Sequence, residues 1–325
     1  GIQCMNALII LTLLNIPKVS RKTVNYILKI TNIKTLDENS IVNVFKEAKI
    51  SNTRINIPSI DDIKKAKIKA EDIINECKRE GVNILTALDS DFPDKLKEIQ
   101  DPPVLIYYKG DKRCLIEKKS LAIIGTRTPT NKGIEIAEKL GKLFAKDGFV
   151  IVSGLAKGCD ELGHKGCVAA KGRSVAVLPC GLDTIYPASN KKLAELILQN
   201  KGCLISEYPI GTKPYKNYYV ERDRLQSALS EAIIVVETNI SGGTMHTVKF
   251  ALEQKRILAC YKHSKEYLMY SQTEGNQYLL RENKATSIYT KKDIANLKDK
   301  ILYRINSQNN IVEKNKEIEI QISMF

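Results

Sequence analysis

Between residues 121 and 260, short apolar runs alternate with helical patterns, and this alternation constrains the fold more than any other feature of the chain. Residues 121–124, 150–153, 174–178, 204–206 and 232–236 read as buried strands, with 257–260 as a sixth. Amphipathic patterns such as 133–147 and 191–199 separate several of them, the order that crossover helices give in a parallel sheet. Two glycine-rich loops are set into this α/β pattern. Ile123-Ile124-Gly125-Thr126-Arg127 ends the first apolar run, and Ser241-Gly242-Gly243-Thr244-Met245-His246-Thr247 follows 232–236. Both place glycine where a strand gives way to a helix. The backbone turns tightly there, and free N–H groups together with the helix dipole favour phosphate. Strand C-termini of an open parallel sheet are also where ligands bind. The pattern implies a ligand that carries phosphate.

Charge agrees with that ligand class. The 325 residues hold 51 Lys and Arg against 37 Asp and Glu, a formal charge of +14, which suits a polyanionic partner. Lys, Asn and Ile are abundant throughout, so an A/T-rich genome accounts for the same excess. The eight cysteines form no CxxC pair and no cluster with the three histidines, so no structural zinc site is expected. Scattered single cysteines fit reduced thiols in a cytoplasmic protein. Residues 7–16 are apolar but too short to span a membrane, and no small-residue cleavage site follows them. Met5 reads as the native start and residues 1–4 as an expression scar.

Three segments are expected: a helical domain of SAM or helix-hairpin-helix type over 5–78, an α/β core over 79–288, and a short charged extension over 289–325. Helical spacing recurs in 7–14 and 24–30, with a turn at 15–20 in which Ser20 is placed to cap the second helix. Leu13-Leu14-Asn15-Ile16-Pro17-Lys18-Val19-Ser20 resembles half of a helix-hairpin-helix, a turn that offers N–H groups to a DNA phosphate. That motif usually carries glycine in the turn, so a packing role stands beside the DNA-contact reading. A polar, lysine-rich passage over 61–80 leads into strand-like 81–86, then a loop and a strand over 101–110. After Ile288 the pattern is one or two short charged helices and an exposed tail.

The blocks Asp91-Phe92-Pro93-Asp94-Lys95-Leu96, residues 102–107, Ile124-Gly125-Thr126-Arg127, residues 152–160 and residues 177–187 occur in order. So do residues 205–212, Glu221-Arg222-Asp223-Arg224, residues 229–237 and residues 251–256. Over about 81–288 the chain resembles the DprA (Smf) family of DNA-processing proteins, and nine blocks in register are far more specific than one glycine loop. The resemblance implies an extended Rossmann-like parallel sheet core. It also implies a protein that binds and protects incoming single-stranded DNA, forms a homodimer, and loads RecA for recombination and transformation. No catalytic turnover is attached to the family, and no cofactor or metal is expected for this chain.

Physical reasons accompany the matched residues. Arg127, beside the N–H groups of Gly125 and Thr126, is able to hold a phosphate bidentately. Ser153, Gly154 and Lys157 offer hydroxyl, backbone and charge to an anion; the family usually has arginine at the Lys157 position. Arg222 and Arg224 match an Arg-Asn-Arg motif in which Asp223 replaces asparagine, and that carboxylate opposes anion binding. Asp160 and His164 fall one turn apart, where Asp160 is placed to cap the helix; structural roles are expected for both. Cys180, near Asp183, reads as packing. Tyr218 or Tyr219, next to the arginines, offers a ring to a base.

Gly242, Gly243 and Thr244 depart from the Ser-Gly-Ser loop of familiar members and resemble the phosphate loop of lysine-decarboxylase-like nucleotide hydrolases and nucleotide-sensing domains. An alternative follows: a nucleotide-binding sensor or hydrolase with Glu237 or Glu207 as its acid. The helix after that loop carries a single acid, which counts against hydrolysis. Gln321-Ile322-Ser323-Met324-Phe325 resembles the short peptide that docks on the bacterial sliding clamp, with Gln321, Ile322, Met324 and Phe325 as its anchors. The 37 residues after Ile288 are too few for the winged helix in which many family members end.

Overall fold

The computed structural model describes residues 1–324. Four helices open the chain, α1 (Ile2–Leu14), α2 (Arg21–Ile30), α3 (Glu38–Ser51) and α4 (Ile60–Glu80). They lead into β1 (Asn83–Thr86), the one-turn α5 (Asp94–Lys97) and β2 (Leu105–Gly110). Strand and helix then alternate: β3 (Ser120–Ile124), α6 (Asn131–Lys146), β4 (Val150–Ser153), α7 (Cys159–Ala169), β5 (Ser174–Leu178), α8 (Lys191–Gln199) and β6 (Cys203–Ser206). The rest comprises α9 (Lys216–Ala228), β7 (Ala232–Val235), α10 (Thr244–Glu253), β8 (Ile257–Tyr261), α11 (Glu274–Arg281), β9 (Thr286–Ile288) and α12 (Lys291–Ser323).

The strands form one sheet in the order β1-β2-β6-β5-β4-β3-β7-β8-β9. From β6 to β9 every pairing is parallel, with Ala122 opposite Val152 on one side and Ile233 on the other. β1 and β2 are antiparallel additions at one edge, outside the run of alternating strands and helices that marks the parallel part of the sheet. Chain order runs outward from β3 through β4, β5 and β6, and α9 then returns it to β7 on the other flank of β3. Connections therefore diverge between β3 and β7. That divergence opens a crevice at the strand C-termini.

Alternation along the strands sorts the core into layers. Leu121 and Ile123 of β3 face α6, α7 and α12, where Phe144 and Phe149 meet edge to face at 5.3 Å. Ala122 and Ile124 face the opposite layer, built from α5, α9, α10 and α11. At the β1–β2 end, Tyr107, Ala176, Leu178 and Leu204 share a single apolar cluster with Ile10, Ile27, Phe45 and Ile63 of the first four helices. Those helices thus pack on the sheet through a common core.

Three local expectations change. The lysine-rich passage is α4, closed by a Ser59–Asp62 capping box and by Gly81 at φ +66°. Its apolar stripe, Ile63, Ala66, Ala70 and Cys77, is sparse and uses small residues, so charge hid the helical period. The C-terminal segment is one helix of 33 residues, since no glycine or proline interrupts 291–323. Leu297, Ile301 and Ile305 anchor its first half on the core. Ser20 stands at the N-cap of α2, yet its side chain makes no capping bond. Among the described residues no helix is long and apolar enough to cross a membrane.

Phe144→Ala empties a fully buried ring site between α6 and β3 and is expected to cost about 3–5 kcal/mol. Urea unfolding at constant m-value measures it. A loss below about 1 kcal/mol would contradict the packing described.

Candidate nucleic-acid interface

The loops after β3, β4 and β7 converge over the crevice. Gly125 turns so tightly that an added Cβ would lie 2.6 Å from Cys159 Sγ and 2.8 Å from the Glu237 carbonyl. Gly158, at φ +83°, presses against the Thr126 carbonyl, where a Cβ would come within 2.4 Å. Thr126 N donates to Glu237 O (2.8 Å) and Cys159 N donates to Thr126 O (3.1 Å). These contacts lock three strand-end loops together. Between them lies a cleft of about 310 Å³, lined by Gly125, Thr126, Arg127, Gly242, Gly243 and Thr244, with Asp160, Arg222 and Asp223 also on its walls. A second hollow of about 200 Å³ shares Arg127, Ala156 and Tyr219 and adds Gly154, Lys157, Tyr186 and Pro187. The two form one groove.

Cations around this groove divide into two kinds. Arg127 and Lys157 are exposed and have no acidic partner among the described residues; the Arg127 guanidinium rests over the Tyr219 ring at 5.2 Å. Arg222, 5% exposed, donates through Nη1 to Gly154 O (3.0 Å) and Val177 O (2.8 Å), and through Nε to Asp223 Oδ1 (3.1 Å). Its role is to brace the sheet end, with one face on the cleft. Arg224 does not reach the groove at all. Two positions further on α9 it points elsewhere, forks onto Glu207 (2.8 and 2.7 Å), and donates to the carbonyls of Asp101 and Glu221.

Other expected donors are also engaged. Ser153 is buried and donates to Ile123 O at 2.6 Å, so its hydroxyl is closed to an anion. Gly154 N donates to Asp160 Oδ2 (3.1 Å), which removes that N–H as well. The cap of α7 comes from Glu161, which accepts from Gly158 N at 3.1 Å, and not from Asp160. By contrast, Gly243 N and Thr244 N, at the start of α10, have no acceptor among the described residues. They open on the cleft as an N-terminal anion site would.

The acids set the electrostatics. Burial pushes Asp160 up to about 6 against the pull of Arg222, and pushes Asp223 up to about 6 against the same guanidinium. His164 is fully buried, accepts from Leu155 N (3.2 Å) and pairs with Ser174 Oγ (2.6 Å); burial holds it down to about 3, hence neutral. It is a core histidine. Glu237 accepts from Thr130 N, Thr130 Oγ1 and His263 Nε2 at 2.6–2.8 Å and is wholly buried, so it is closed to a ribose hydroxyl. Glu207 is held by Arg224. Cys180 is buried against Thr184 O, and Asp183 accepts from Gly211 N. At the far end of α12, Gln321, Ile322 and Met324 are exposed. Phe325 lies outside the described residues. The Lys18 turn stands apart from the groove, its φ at +66°.

Comparison with known proteins bears on this arrangement. Over 243 residues the chain is 34% identical to the DNA processing protein DprA of Bacillus subtilis, covering 72% of this chain and 80% of that one. A family model described as DNA recombination-mediator protein A matches residues 83–299. The chain belongs to the DprA/Smf family. Protein Smf of Synechocystis is 38% identical over 186 residues, which span 56% of this chain and 46% of that protein. A structure of DNA processing protein A from Helicobacter pylori, describing its single-stranded DNA binding mode, superposes with a TM-score of 0.60 at 30% identity. It covers 67% of this chain and 96% of that one. The family match includes every strand of the sheet and the groove loops.

Sequence reasoning missed Tyr186, which lies inside a family block but carries no charge or glycine to mark it. It also missed Thr247 and Gln226 on the cleft wall, both contributed by helix interiors.

Two outcomes are expected from the division of the arginines. Arg224→Ala strands Glu207 in a nearly buried site and should lower stability by about 3–5 kcal/mol in urea melts. Arg127→Ala should leave the melt unchanged. The acids give a pH dependence. Their folded values exceed the ordinary carboxyl value of about 3.9, so each opposes folding increasingly as pH rises from about 4 through 6. In the cleft, both are anionic above pH 6 and neutral below it. Affinity for a polyanion should therefore rise as pH falls from 7.5 to 5.5, and Asp223→Asn should raise it at pH 7.5 and flatten the profile. A D223N profile identical to wild type would contradict this.

Proposed function

We propose that the chain binds single-stranded DNA by its phosphates along the groove at the strand C-termini, by binding alone and without turnover. The observation that carries this reading is the pair Arg127 and Lys157: exposed cations on one groove, with no acidic partner among the described residues, beside the open N–H groups of Gly243 and Thr244. Arg222 contributes as a brace and Arg224 as a structural ion pair. Family membership and the single-strand binding mode of the Helicobacter pylori relative support the same ligand. Protection of incoming strands, homodimer formation and loading of RecA complete the proposal and rest on the family alone. The exposed Gln321, Ile322 and Met324 support a sliding-clamp contact through the end of α12. The nucleotide-hydrolase reading loses its acids, because Glu237 and Glu207 are both held in buried pairs.

Fluorescence anisotropy with labelled single- and double-stranded oligonucleotides, over a salt series and with mononucleotide competitors, tests this. Preference for single strands with a steep salt dependence is expected, and Arg127→Ala should weaken binding about tenfold. Equal affinity for both strand forms, with one mononucleotide bound tightly, would overturn the reading in favour of nucleotide sensing.

A further inference from the structure

Base stacking needs an aromatic face that the fold leaves open, and the two tyrosines nearest the arginines do not offer one. Tyr218 is stacked on Tyr208, centroids 4.2 Å apart and planes at 28°. The Tyr219 ring carries the guanidinium of Arg127 at 5.2 Å and that of Arg222 at 5.6 Å. Tyr186, in the loop after β5, is different. It is 48% exposed, its hydroxyl has no hydrogen-bond partner among the described residues, and no cation lies over its ring. It meets Tyr219 edge to face at 6.5 Å, with planes at 66°. Such a contact engages an edge and at most one face, so a broad face of one ring remains available. The ring lines the smaller hollow with Arg127 and Lys157, the two cations assigned to phosphate.

We propose that Tyr186 is the platform on which one nucleobase of a bound single strand stacks, while the neighbouring phosphates lie against Arg127 and Lys157. The inference rests on the single-strand reading above and adds a base site to it. Stacking on an open tyrosine accepts any base, since every base has a π-face. The ring therefore adds affinity without choosing a sequence. It also favours unpaired strands, because a base within a duplex is already stacked on its neighbours. Tyr219 holds Tyr186 from the side, and the arginines over Tyr219 fix that ring in turn, so the platform is set before the strand arrives.

The chain contains no tryptophan, which makes Tyr186→Trp a single-site reporter. On titration with unlabelled oligo-dT, the indole emission of Y186W should be strongly quenched, saturating with the anisotropy signal. Tyr186→Ala should weaken binding about tenfold with an unchanged salt slope, and Tyr186→Phe should retain wild-type affinity. The exposed position makes all three variants expected to melt as wild type does. Unquenched Y186W emission together with wild-type affinity in Y186A would overturn the base site while leaving single-strand binding intact. A changed salt slope in Y186A would overturn it too, by showing that the ring acts through the phosphate contacts. Failure of the wild-type chain to prefer single strands would instead remove the reading on which the site rests.

Discussion

One buried guanidinium holds the ligand end of this sheet in place. Arg222 ties the loop after β4 to strand β5 through the carbonyls of Gly154 and Val177, and is itself paired with Asp223. Removing it would take the guanidinium donor from the Gly154 and Val177 carbonyls and the counter-charge from Asp223 in a nearly dry space, a cost of several kcal/mol. The groove follows from that anchor. The Gly154 loop carries Lys157 outward, and Tyr219, one turn before Arg222 on α9, is set beneath Arg127. The same enclosure raises Asp160 and Asp223, so the floor of the cleft is weakly acidic and its rim basic.

A second network joins the first helices to this site. Arg21 of α2 pairs with Asp101 at 2.6 Å and with Glu221 at 3.3 Å, and Glu207 and Arg224 close the set. The network ties α2 to α9, the helix that bears Tyr219 and Arg222, while the shared apolar cluster seats α2 on the sheet. The arginines of this chain thus do separate jobs. Those enclosed by carboxylates and carbonyls maintain geometry, and Arg127, with no acidic partner among the described residues, faces the open groove.

The strands from β3 to β8 were legible because each is a run of branched apolar residues closed by glycine or a polar turn, and both glycine loops lie at the crevice as read. Chemistry at the Arg-Asp-Arg motif was less legible. Sequence shows two arginines in one helical turn, but a spacing of two sends them to different faces, and only the fold supplies Glu207 as a partner for Arg224. Ser153 and Glu237 failed as ligand groups for the same reason, since their acceptors and donors, Ile123 O and Thr130, come from distant parts of the chain. Tyr186 escaped notice because its exposure depends on the path of a loop. The long α12 was hidden by its charge and low apolar content, although the absence of any helix breaker was visible.

The most direct measurement is zero-length ultraviolet cross-linking of the full chain to a thymidine oligonucleotide, with adducts located by mass spectrometry. Adducts confined to peptides containing residues 125–130, 154–158, 186–187 and 242–244 are the expected result. Adducts centred on the turn at 15–20 or along α12, with the groove peptides unmodified, would contradict the account.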